Sequence, residues 1–79
     1  MAQYGVMIKV DEGKEYGSTS YSFVVDTTTQ VRELLLNTTA PITEVIVMEE
    51  IYGKEARMLD AEEILRITLN HPREALSLA

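Results

Sequence analysis

The chain has 79 residues, no cysteine and a formal net charge of −6, and its acidic groups concentrate in residues 41–79, which hold eight acidic and four basic residues. This length suits a single domain, and the missing cysteines exclude disulfides, thiol catalysis and thiolate metal sites. With no basic stripe to neutralise phosphates and no apolar run long enough to cross a bilayer, the sequence predicts a soluble, cytoplasmic domain that binds no nucleic acid and spans no membrane.

The first two predicted elements are antiparallel strands. Apolar residues recur at every second position from Tyr4 to Val10, which is the pattern of a strand with one buried face. A charged segment with two glycines, residues 11–18, predicts a hairpin connection. In the second strand, which ends at Val25, alternation predicts that Tyr21 and Phe23 point into the core.

A helix is predicted to follow the hairpin. Thr27 and Gln30 have the spacing of a capping box, in which each side chain bonds the other residue's backbone N–H. Val31, Leu34 and Leu35 then fall on one stripe of a helix that ends before Pro41. This stripe is expected to pack on the sheet.

The second half of the chain predicts two more strands, a short helical turn and a last short strand. Their ranges are Ile42 to Tyr52, Ala56 to Leu59, the apolar residues that follow Asp60, and Ala75 to Leu78. The resulting order, ββαββ, helical turn, β, indicates an α+β roll in which one main helix crosses a mixed sheet of about five strands. We expect residues 1–79 to be one domain of a larger protein.

The region around the acidic turn carries a family resemblance. A glycine, a basic residue, a leucine-aspartate-acidic-acidic turn and a proline precede the last short strand, here Gly53, Arg57, Leu59, Asp60, Glu62, Glu63 and Pro72. In this pattern the chain resembles Ras-associating domains, a family with the ubiquitin-like β-grasp fold. The resemblance implies that the last strand lies centrally in the sheet, parallel to the first.

The same resemblance implies a function and a binding surface. It implies a signalling module of adaptor proteins that binds a Ras-type small GTPase in its GTP state, by adding the edge of its second strand to a strand of the GTPase. The partner-binding residues that it implies are Lys9, Lys14, Ser20, Ser22 and Arg32. An exposed strand edge and charge complementarity are the physical basis of such binding.

The sequence also fits other interpretations. The acidic half, from Glu44 to Glu63, would suit a ubiquitin-like scaffold or assembly domain that binds a basic partner or a second copy of itself, and it would also suit a solvated face. Tyr16 and Tyr52, near turns, are candidate contact residues. Since the sequence has no phosphate-binding loop, nucleophile elbow or metal-binding histidine pair, we expect no catalysis, no cofactor and no metal site.

Overall fold

The computed structural model describes residues 2–69, which form a four-stranded antiparallel sheet and two helices. In chain order the elements are β1 (Ala2–Asp11), β2 (Ser18–Val25), α1 (Thr28–Asn37), β3 (Ile42–Ile51), β4 (Arg57–Met58) and α2 (Ala61–Leu69). The α+β class predicted from the sequence is therefore confirmed. The predicted last strand, Ala75 to Leu78, lies outside the described residues.

The strands lie in the order β2-β1-β3-β4. β1 pairs with β2 from Tyr4 opposite Val25 to Asp11 opposite Ser18, and it also pairs with β3 along its length. Because β2 and β3 occupy both sides of β1, no edge of β1 remains for a parallel strand. The predicted place of the last strand beside the first, in a mixed sheet, is therefore not available in the sheet formed by residues 2–69.

One face of the sheet forms the core. Every second residue of β1 is buried there, and α1, β3 and the residue after β4 supply the remaining buried side chains. The buried core residues are Tyr4, Val6, Ile8, Val10, Val31, Leu35, Val47 and Leu59. The opposite face carries Met7, Val24, Ile46, Met48 and Met58, of which Val24 and Met58 are exposed. Residues 2–69 thus form a two-layer domain with one open sheet face.

The start of α1 has the capping box that the sequence predicts. The Thr27 hydroxyl accepts a hydrogen bond from the Gln30 amide at 3.1 Å, and the Gln30 side-chain oxygen accepts one from the Thr27 amide at 3.1 Å. The same oxygen accepts from the Asp26 amide at 2.8 Å. These bonds satisfy backbone donors that a helix start otherwise leaves unpaired, so the end of β2 and the start of α1 are held together.

α2 is a helix of nine residues, so the prediction of a short helical turn is wrong in length. Its first turn is closed by a second capping box, because Asp60 Oδ1 accepts from the Glu63 amide at 2.8 Å and Glu63 Oε1 accepts from the Asp60 amide at 3.0 Å. Ile64 and Ile67, three residues apart, then pack against the core. The apolar residues after Asp60 therefore continue with a helical period beyond one turn.

Candidate functional site

β2 is an edge strand, and no strand within residues 2–69 pairs with its outer side. Its eight residues, Ser18–Val25, include no charged residue and no proline. The Glu12 amide donates a 2.8 Å hydrogen bond to the Gly17 carbonyl, so these two opposite residues form a hydrogen-bonded pair. In an antiparallel ladder every second pair is of this kind, so the odd-numbered residues of β2 bond β1. By that alternation the backbone N–H and C=O groups of Ser20 and Ser22 point away from β1. They are available to a further strand.

The helix side of β2 is only partly covered. Tyr21 and Phe23 are 43% and 39% exposed, so the prediction that they are core residues is wrong. They lie on the same face as the buried residues of β1, as alternation requires. However, α1 packs over β1 with Val31 and Leu35, which leaves the side chains of the edge strand beside the helix rather than beneath it.

Two open cavities follow this strip of β2. One of about 400 Å³ lies against Phe23 and Val25, and one of about 270 Å³ lies against Tyr21 and Phe23. The other walls are formed by the side of α1 that faces β2 and the residues just after the helix, namely Gln30, Glu33, Leu34, Asn37, Thr38, Thr39 and Ala40. At the smaller cavity, Ile8, Val10 and Glu12 also contribute. We call the strip formed by Tyr21, Phe23, Val25, Glu33 and Leu34 the β2–α1 groove.

The hairpin connection orders one end of this groove. Glu12 accepts a hydrogen bond from the Thr19 hydroxyl at 2.7 Å and another from the Tyr21 hydroxyl at 3.1 Å. The bond to Glu12 raises the pKa of Tyr21, and the nearby negative charge adds to this effect. Gly13 and Gly17, with φ angles of 98° and 69°, adopt the left-handed backbone that the turn requires. Glu12 therefore holds the Tyr21 side chain beside the smaller cavity.

The predicted binding residues do not form one surface. Lys9 lies opposite Ser20 in the β1–β2 ladder, and Ser22 is two residues further along β2, so these three share the open face of the sheet. Lys14 lies in the exposed β1–β2 connection, outside the ladder. Arg32 lies on α1 and lines a cavity toward α2, in the helix layer. The structure thus brings together Lys9, Ser20 and Ser22 and separates Arg32 from them.

The cavity beside Arg32 has a volume of about 320 Å³ and lies between the two helices and the end of β3. Arg57 and Arg66 also line it, so three of the four arginines in the sequence lie around one cavity. The Nε atom of Arg32 is buried and has no hydrogen-bond partner among the described residues. The position of Arg32 on a helix does not reveal which neighbouring element it faces, so sequence reasoning missed this placement.

Arg57 links β4 to β3 and α2 through two carboxylates. Its Nη2 lies 3.1 Å from Glu49 Oε1 and 3.0 Å from Glu63 Oε2. Glu49 also accepts a hydrogen bond of 3.3 Å from the hydroxyl of Tyr4, whose pKa is raised by burial and by the charge of Glu49. The bonds to Glu63 and Glu49 raise the pKa of Arg57. The hydrogen bond from Arg57, assisted by the Asp60 amide, lowers the pKa of Glu63.

The acidic half of the chain presents fewer free carboxylates than its composition suggests. Of the six glutamates between residues 44 and 63, three form ion pairs, namely Glu49 and Glu63 with Arg57, and Glu62 with Arg66 at 3.5 Å. Within residues 2–69, Glu44, Glu50 and Glu55 form no ion pair. The acidic surface is therefore divided by salt bridges rather than continuous.

The lowered pKa of Glu63 predicts a loss of stability in acid. Because the pKa of Glu63 lies below its ordinary value of 4.5 only in the folded state, its contribution is present above pH 4.5 and is lost as the pH falls through the lower, folded value. Urea unfolding followed by circular dichroism across this range should therefore show a shallower acid loss in Glu63→Gln than in the unaltered chain. Glu55→Gln is the control for removing one exposed charge. Parallel curves for Glu63→Gln and the unaltered chain would contradict the assignment.

The predicted contact residues Tyr16 and Tyr52 do not share one surface. Tyr16 and Tyr52 are 73% and 91% exposed but lie in the β1–β2 and β3–β4 connections, at opposite ends of the sheet.

Within residues 2–69, no three acidic or histidine side chains group closely enough to hold a metal ion. Neither helix of the described chain has the length and hydropathy to span a membrane. Comparison with models of protein families, with curated proteins and with solved structures gave no match.

Proposed function

We propose that this chain is a non-catalytic protein-interaction module that binds its partner by adding a strand to the outer edge of β2. The observation that carries the proposal is an uncharged edge strand of eight residues with outward-directed backbone groups at Ser20 and Ser22. Natural edge strands usually carry lysine, proline or a bulge that prevents pairing with another chain. Ser18–Val25 has no lysine and no proline, and its ladder with β1 has no bulge.

We propose a GTP-bound Ras-type small GTPase as the partner, because the sequence resembles Ras-associating domains. Within residues 2–69, the element order ββαββα and the four-stranded sheet with helices on one face are compatible with a β-grasp-like domain in which β1 and β3 pair directly. Lys9 lies on the open face beside Ser20, where it could meet a carboxylate of an added strand. Because Arg32 faces α2, the positive charge near β2 is smaller than the resemblance implies, and electrostatic steering toward an acidic partner is correspondingly weaker.

Calorimetric titration with a panel of Ras-family GTPases tests the choice of partner. Each GTPase is loaded with a GTP analogue or with GDP, and we expect at least one to bind more tightly in its GTP state. Lys9→Ala should weaken that binding, and Lys54→Ala, in the β3–β4 connection, is the control for loss of one positive charge. If no member of the panel binds in a nucleotide-dependent way, the GTPase is not the partner.

A further inference from the structure

The two cavities of the β2–α1 groove are arranged for alternate side chains of one extended segment. Both contact Phe23, but the larger continues to Val25 and the smaller to Tyr21. These three residues occupy every second position of β2, and alternate residues of a strand are roughly 7 Å apart. A strand added to β2 would therefore place two side chains, separated by one residue, at the two cavities.

The side chains on the other face of such a strand would meet a different surface. Ser18, Ser20 and Ser22 share the open face of β2 with Val24, and all four are exposed. Small hydroxyl side chains offer hydrogen bonds there but little apolar area. From Ser18 to Ser22, the two faces of β2 thus favour apolar residues on the helix side and polar residues on the open side of the added strand.

The β2–α1 groove is bordered by negatively charged side chains. Glu33 borders the larger cavity and Glu12 the smaller, and no basic residue lines either one. Glu12 is engaged by two hydroxyl groups, whereas Glu33 forms no side-chain hydrogen bond and no ion pair with another described residue. A cationic group of the bound segment would be attracted to Glu33 in particular.

We infer that the β2–α1 groove binds an extended peptide segment with apolar side chains two residues apart and a basic residue next to Glu33. This inference rests on the proposed strand addition at β2 and narrows its partner to amphipathic, basic segments. Such a partner differs in charge from an acidic GTPase surface, so the two partners make opposite predictions about the effect of charge.

Synthetic peptides of the length of β2 test this inference on the full chain. In the first, valine and threonine alternate between a lysine at each end; in the second, glutamate replaces both lysines; in the third, the valines and the threonines of the first peptide are grouped in two blocks. Titration is followed by NMR of the ¹⁵N-labelled chain. We expect the first peptide to perturb the amides of residues 18–25 and of α1, and to bind about fivefold more tightly than either of the others.

Variants assign the charge preference to Glu33. Glu33→Gln should bring the affinities of the lysine and glutamate peptides together, whereas Glu55→Gln, which removes the same charge from the β3–β4 connection, should preserve their ratio. An unchanged ratio in Glu33→Gln, or equal binding of the alternating and block peptides, would overturn the inference. If the peptides perturb residues 18–25 without preference, strand addition stands and the inference fails. If none perturbs residues 18–25, the inference fails, and the GTPase titration alone decides whether a strand adds to β2.

Discussion

Replacing Leu59 with alanine is expected to lower the free energy of unfolding by about 2–5 kcal/mol. Leu59 is 6% exposed and belongs to the buried core cluster, and its amide donates a 2.8 Å hydrogen bond to the Val47 carbonyl. The side chain fills the space where β4 ends and α2 begins, so its removal leaves a cavity in the core. Because a small domain is stabilised by only about 5–15 kcal/mol, this loss is a large share of the total.

Met58→Ala is the matched control for this prediction. Met58 is the neighbouring residue, but it is 61% exposed and lies on the open face of the sheet, so its truncation should change stability by less than about 0.5 kcal/mol. Urea unfolding monitored by circular dichroism measures both variants. Equal stabilities for the two would contradict the placement of Leu59 in the core. Folded Leu59→Ala should still bind at β2, because Leu59 is no part of the β2–α1 groove.

Replacing Ser22 with proline is expected to lower the affinity for any partner strand that adds to β2 by about tenfold or more. The change removes an outward backbone donor, and the proline ring obstructs a paired strand. The Ser22 amide points away from β1, so the change removes no bond of the β1–β2 ladder. The domain should therefore remain folded while binding is lost. Titration with the lysine-ended alternating peptide, or with a GTPase that binds, measures the effect.

Ser22→Ala separates the backbone from the side chain. It keeps the amide donor and loses only the hydroxyl, so we expect its affinity to stay close to that of the unaltered chain. Circular dichroism and the ¹⁵N spectrum show whether each variant is folded. Equal weakening by alanine and proline would assign the effect to the hydroxyl, and undiminished binding of folded Ser22→Pro would contradict strand addition at this edge.

Several features of the fold could be predicted because they depend on residues close together in sequence. The burial of β1 follows from the recurrence of Val6, Ile8 and Val10 at every second position. The start of α1 follows from Thr27 and Gln30, whose side chains reach only as far as the first turn. These local patterns were sufficient for the α+β class and for the positions of β1, β2 and α1.

The length of α2 was underestimated because the sequence after Asp60 combines two signals. Asp60 and Glu63 indicate a turn, and the same pair is also the capping box of a helix that extends to Leu69. The spatial order of the strands could not be predicted, for a different reason. Direct pairing of β1 with β3 depends on which distant segments meet, and hydrophobic alternation in each strand is the same for either order.

At the candidate site, too, the sequence predicted which residues of β2 share a face but not how β2 packs against the other elements. Alternation correctly assigned Tyr21 and Phe23 to the helix side of β2 but could not show that α1 packs over β1 and leaves them half exposed. It also placed Ser20 and Ser22 on one face without showing that β2 lies at the edge of the described sheet. The side of α1 on which Arg32 lies could not be predicted, because a helix presents several faces and only packing decides that Arg32 lines the cavity toward α2.

The sequence by itself determined the local elements of this protein, since capping, alternation and turn chemistry act over a few neighbouring residues. Only the tertiary structure decided which edge is open, which apolar side chains remain uncovered and which charges are paired. Glu33 and Glu63 are both glutamates on helices, yet Glu63 is bound by Arg57 whereas Glu33 borders the β2–α1 groove. The physical reason is that exposure and ion pairing depend on contacts between segments far apart in the chain, which local residue patterns do not encode.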